Sequence, residues 1–304
     1  MNWGGRYTHH GLIGLIAAWT ACGEGGGPAE EVGEGDTGAA ERGALEAQRR
    51  ADTRQFWQVY RGATDLRVSG RAKLAARAYQ EALGYDPNHE DALYYLGNTA
   101  FDSGQIAVAE RAWRRLVEVD PLSSRAHAQL GALYYSTAPG APFDLARART
   151  ELTRSMDLNR EETGPLIQLG EVALLSGDVE MATEFVRLSS QANPFGVGTS
   201  YLEGYLSWRS GDVAAAVQHL TRAVELSQGK GPASKSASNE GATSRGMRPM
   251  LEGGVRFASP LSRRWSGLES WSAEEIDEAV ATEEYAAVQQ VLATPQAVPA
   301  TARH

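Results

Sequence analysis

Apolar residues fall into stretches of different pattern along this chain. Leu12 to Ala21 is a short greasy run behind a polar head that contains Arg6. A membrane-crossing helix needs roughly 20 apolar residues; about half that number stands here, which suits the core of a cleaved secretory signal over 1–21. "GEGGGPAEEVGEGDTGAA", residues 23 to 40, carries almost no aliphatic bulk. It cannot bury enough surface to order itself, which predicts a flexible acidic tether over 22–42. From 43 to 229 the pattern is helical, and "GALEAQRRADTRQFWQVYRGATDLRV" extends the first helix upstream of residue 56. Residues 230–271 lose the period, beginning with the Gly/Ser/Lys-rich "SQGKGPASKSASNEGATSRG", and predict a disordered low-complexity linker. In the last part, 272–304, Ile276, Val280, Val288 and Leu292 return at helical spacing behind a Ser272–Glu275 capping box. They predict an amphipathic helix near 273–293, and the tail reads either as an unstructured linker with this helix capping the last repeat or as a tethered ligand for the repeats or a docking motif.

The helical region repeats itself. "LGNTAFDSGQIAVAERAWRRLVEVDP" aligns with "LGEVALLSGDVEMATEFVRLSSQANP" and "GYLSWRSGDVAAAVQHLTRAVEL". Gly97 to Gly131, Gly170 to Gly204, Gly177 to Gly211 and Pro87 to Pro121 are each 34 residues apart. A 34-residue helix-turn-helix period is that of the tetratricopeptide repeat (TPR), and the chain resembles that family over residues 56–229. Five repeats follow: 56–89, 90–123, 124–162, 163–196 and 197–229, the third lengthened by "STAPGAPFD". The resemblance implies an all-α solenoid, a right-handed superhelix with a concave groove lined by the first helices. It places Gly97, Gly131, Gly170 and Gly204 in first helices against Ala75, Ala109, Ala148, Ala182 and Ala216 of second helices, with Tyr79, Trp113, Leu152, Val186 and Leu220 filling the space one turn later. Pro87, Pro121 and Pro194 end second helices, because proline lacks the N–H and clashes with the preceding turn.

Cys22 is the only cysteine, so no internal disulfide and no CxxC metal or redox pair can form. Its setting, after Thr20 and Ala21 and before a glycine-rich stretch, resembles the acylated cysteine of a bacterial lipoprotein, although Trp19 stands where that family has an aliphatic residue. An ordinary cleaved signal and an uncleaved short anchor are the alternative readings of the same residues. The lipoprotein resemblance implies a membrane attachment through Cys22, and Gly23 in place of an inner-membrane-retaining aspartate implies the outer membrane, facing the periplasm. The formal net charge of −9 argues against an electrostatic nucleic-acid partner.

No catalytic motif stands up to its context. "GEGDTG" matches GxGxxG but lies in the acidic stretch, not between a strand and a helix. "GKGPASKS" follows a helix and has Ser234 before its lysine, and the six histidines are scattered. The chain is expected to be no enzyme, with no cofactor, no metal and no small-molecule substrate. The TPR resemblance instead implies a groove for a protein or peptide. Its inward positions hold Trp57, Tyr60, Thr64 and Arg67; Asp91, Tyr94, Asn98 and Phe101; Arg125, Ala128, Ala132 and Tyr135; Ile167, Glu171 and Leu174; and Tyr201, Tyr205 and Trp208. Tyr and Trp dominate binding hot spots, so Tyr60, Tyr94, Asn98, Phe101, Tyr135, Tyr201, Tyr205 and Trp208 are the candidate groove. Tyr60 and Tyr94 replace the lysines of a carboxylate clamp, which favours a peptide with apolar anchors. The expected function is a lipid-anchored scaffold of the bacterial cell envelope for assembly, secretion or pilus work. The alternative is a non-catalytic accessory subunit of an envelope enzyme or transporter.

Overall fold

The computed structural model describes residues 34–230 and 259–294. The expected signal, Cys22 and residues 231–258 lie outside them. The chain clusters into two units, 1–48 and 49–304, and the second holds the repeats. Among the described residues there are twelve α-helices and no strand.

Ten of these helices form five antiparallel pairs. They are α1 (Glu34–Val68) with α2 (Ala72–Ala82), α3 (Glu90–Asp102) with α4 (Ile106–Val119), α5 (Ser124–Tyr134) with α6 (Leu145–Leu158), α7 (Gly164–Leu175) with α8 (Val179–Ala192), and α9 (Val197–Arg209) with α10 (Val213–Ser227). From α2 onward each second helix also packs on the next first helix, so the pairs stack in chain order. The turns are built alike: Gly70, Gly104, Gly177 and Gly211 end their first helices with φ between 75° and 91°, the left-handed region that glycine enters without a Cβ penalty. Asp178 and Asp212 follow two of them and start the next helix, their carboxylates accepting the N–H of Met181 at 3.1 Å and of Ala215 at 2.9 Å. In the third repeat the longer loop closes where Asp144 N–H donates to the Tyr134 carbonyl at 2.7 Å.

The small-against-large pattern is the packing code. Ala75, Ala109, Ala148, Ala182 and Ala216 are all fully buried, and so are Tyr79, Trp113, Leu152 and Leu220. A Cβ placed on Gly97 would strike the Trp113 indole, one on Gly131 the Leu152 side chain and one on Gly170 that of Val186. At Gly204 the group in the way is the hydroxyl end of Tyr285, from the C-terminal helix.

Three sequence expectations change here. Residues 34–42, expected as tether, form the first turns of α1. Residues 259–271, expected as part of a disordered linker, are folded: α11 (Ser262–Trp265) and a 3-10 turn, Leu268–Ser270, lie against α9 and α10, with Leu261 and Leu268 fully buried. The last helix, α12 (Glu278–Ala293), starts five residues after the expected position. Asp277 caps it, accepting from Ala279 N–H and Val280 N–H at 3.0 Å each, whereas Ser272 heads only a 3-10 turn and makes no side-chain cap. α12 packs on α10 and α9 at the end of the stack.

Candidate functional site

The first-helix residues of the first three repeats build a partly open aromatic face. Phe56 is buried and stacks on Tyr60 with ring centroids 5.5 Å apart, while Trp57 meets both rings edge-on and remains 45% exposed. His89 closes this cluster, 4.4 Å from Phe56, and its Nδ1 accepts from Ala92 N–H at the start of α3. Burial, followed by the nearby Asp91 carboxylate, pushes the Tyr60 hydroxyl up to about 12, so it stays a protonated donor at neutral pH. One repeat on, the Arg125 guanidinium lies over the Tyr94 ring at 4.7 Å and pairs with Asp91 at 2.6 Å. Arg67 covers Tyr95 in the same way at 4.3 Å. These cations hold the ring faces by quadrupole attraction and fix their orientation. Beside them Asn98 is buried, and its Oδ1 has no hydrogen-bond partner among the described residues. A buried acceptor in that state costs about 1–3 kcal/mol until something donates to it.

The later repeats differ, because the chain covers its own inner positions. The Tyr135 hydroxyl is buried against Glu171, and burial first, then that carboxylate, holds its pKa well above the ordinary value. Glu171 Oε1 also accepts from Ser259 Oγ at 2.9 Å. Tyr201 donates to Glu284 of α12, and Glu284 receives Arg264 Nε at 2.9 Å as well. Tyr205 donates to Gln289 at 2.6 Å, and Trp208 faces the Tyr285 ring at 6.5 Å.

The profile of the family described as tetratricopeptide repeat matches residues 67–133, the span from the end of α1 to α5. The fold is a tetratricopeptide-repeat solenoid. Among curated proteins, the chain is 27% identical over 124 residues to the tetratricopeptide repeat-containing protein trd-1 of Caenorhabditis elegans, covering 40% of this chain and 14% of that relative's length. Among solved structures, PilW, a type IV pilus biogenesis factor, superposes with a TM-score of 0.51 at 13% identity, over 77% of this chain and 92% of PilW. The MamA RS-1 ArsTM double mutant gives 0.50 at 17% identity, over 57% of this chain and 95% of that one. At these identities the likeness is one of fold.

Within the TPR solenoid the eight candidate groove residues separate into two groups. Tyr60 and Tyr94 are partly exposed on the open face, beside the buried Asn98. Phe101 is buried against Trp113 of its own repeat, Tyr135 against Glu171 of the next, and Tyr201 and Tyr205 are fully buried under the C-terminal segment, with Trp208 at its edge. Exposed ring surface among the candidate groove residues therefore lies at the first two repeats. Tyr95, Ser259, Arg264, Trp265 and Glu284 were not singled out from the sequence. The one signal for Ser259, Arg264 and Trp265 was a mixture of Arg, Phe and Trp in a stretch without period, whereas Glu284 lies within the predicted last helix. Among the described residues no cluster of His, Cys, Asp and Glu could hold a metal, and no helix is long and apolar enough to cross a membrane.

Proposed function

We propose that this chain is a non-catalytic TPR scaffold that grips a protein or peptide on the concave face of its first repeats and is held at the bacterial cell envelope, at the outer membrane, by a lipid on Cys22. The observation that carries the binding role is the open face itself: Trp57, Tyr60 and Tyr94 present ring surface beside Arg125 and Asp91. Aromatic rings give large contact area at low entropic cost and suit the apolar anchors of an extended peptide. The envelope role in assembly, secretion or pilus work is supported by the lipoprotein-like setting of Cys22.

Trp57→Ala and Tyr94→Ala are each expected to weaken recovery of the partner from envelope extracts by roughly 30-fold, the equivalent of about 2 kcal/mol for a central anchor. Their melting temperatures should stay close to that of the wild type, because both rings are partly exposed. Early melting with the partner retained would instead make these rings structural and place the binding surface elsewhere. For the anchor, Cys22→Ser should shift the protein from the membrane fraction to the soluble or unprocessed pool and abolish fatty-acid labelling. A wild type that takes up no label would overturn the lipid anchor.

A further inference from the structure

The segment Ser259–Trp265 leaves the order of the stack and lies on first-helix residues of the fourth and fifth repeats. Three seats hold it. Ser259 Oγ donates to Glu171 Oε1 at 2.9 Å, with both residues buried on the inward side of α7. Trp265 rests on Gly198, where the absence of a side chain leaves room for the indole, 5.4 Å from the Tyr201 ring. Arg264 reaches Glu284, the same carboxylate that accepts from Tyr201. Leu261 is fully buried between these polar seats.

The segment's own backbone is tied mainly to itself: Ser259 N–H donates to Ser262 Oγ, and Ser262 N–H to Ser259 Oγ, both at 2.8 Å. Its grip on the solenoid is therefore made by side chains, as a bound peptide's is. Beneath it the helix pairs make close contacts of their own, Val186 filling the space at Gly170, and Leu261 and Trp265 add to the same apolar cluster as Ala182, Ala216 and Leu220. α12 joins the same cluster through Tyr285, which fills the space at Gly204.

We propose that the inner face of the fourth and fifth repeats is a second peptide-binding socket, occupied in cis by residues 259–265, that accepts partner segments of the pattern Ser-x-Leu-x-x-Arg-Trp. The proposal rests on the reading of the concave face as the binding surface. A resident segment tethered to the same chain is present at high effective concentration, so a partner gains entry only by carrying the same chemistry or by arriving where the resident has been drawn away.

The probe is a labelled synthetic peptide copying residues 259–267, titrated by fluorescence anisotropy against the full chain. Leu261→Ser with Trp265→Ser vacates the socket and should bind the peptide at least ten-fold more tightly than the wild type. Adding Gly198→Leu, which fills the indole seat, should remove the gain. A folded vacated variant that binds no better than the wild type overturns the proposal, as does a gain that survives Gly198→Leu. Loss of helical signal in the vacated variant would show that the segment is core, and overturns it too. Hydrogen exchange on the wild type gives an independent reading: saturating peptide should speed exchange at 261–266, and unchanged exchange contradicts a displaceable resident. None of these outcomes touches Trp57 or Tyr94, so partner loss in those two variants judges the open face separately.

Discussion

Gly97→Leu is expected to lower the melting temperature by about 6–12 °C. The glycine lies on α3 directly against the indole of Trp113, which is fully buried. A leucine needs space that the indole already fills, and the indole has no solvent side to move toward, so either α3 and α4 separate or the ring leaves its place. Overpacking of this kind costs about 1–3 kcal/mol and occasionally more, and the upper end applies where the neighbour is boxed in. For a folded unit of about 200 residues each kcal/mol moves the transition by about 2–4 °C. Gly62→Ala is the internal control: it is helical and exposed with nothing near its Cβ position, and it should gain about 0.5–1 kcal/mol from helix propensity. Thermal melts of the two variants check both signs. A Gly97→Leu protein as stable as the wild type would show that the repeat register is misplaced.

Glu284→Ala is expected to cost about 2–3 kcal/mol and to loosen the C-terminal segment before the rest of the solenoid. The carboxylate is buried and is shared by the Tyr201 hydroxyl and the Arg264 guanidinium. Removing it leaves a buried hydroxyl without its acceptor, at about 1–3 kcal/mol, and a guanidinium without its counter-charge. The arginine side chain is 33% exposed and can take up water, which keeps the total below that of a fully buried pair. Glu284→Gln keeps an acceptor at the same place and should lose less. Hydrogen exchange should show α12 and residues 261–266 opening first in Glu284→Ala, with α3 to α6 unchanged. Uniform loss of protection along the chain would contradict a locally held segment.

The repeat register was legible because it is written in volumes. A glycine facing a Trp, Leu or Val one repeat-half later, with an alanine beside it, recurs at Gly97, Gly131 and Gly170, 34 and then, across the lengthened third repeat, 39 residues apart, and the same residues are buried in the structure. Helix ends were less legible. Ser272 and Asp277 are both good caps by residue type; the structure uses Asp277 for the helix and lets Ser272 start a short turn, which keeps Ile276 against the core around α10. The early start of α1 follows from the Ala- and Glu-rich residues 39–48, whose helix propensity extends an existing helix cheaply. The exposure of the candidate groove residues was not legible. The TPR resemblance puts Tyr201 and Tyr205 at inward positions, yet whether that face is open depends on Glu284 and Gln289, more than 80 residues later and across a stretch with no repeat. No local pattern carries that information.

The central claim is that the open aromatic face at the first repeats is where a partner binds. A photo-crosslinking residue introduced singly at Trp57, Tyr94, Leu122 and Phe195 in the full chain, in the cells that make it, tests this most directly. Leu122 and Phe195 are exposed apolar residues in the turns between repeats and stand away from the inward positions. The same partner should be trapped from Trp57 and from Tyr94 and from neither turn position. A partner trapped from Leu122 or Phe195, with none from Trp57 and Tyr94, would contradict the account.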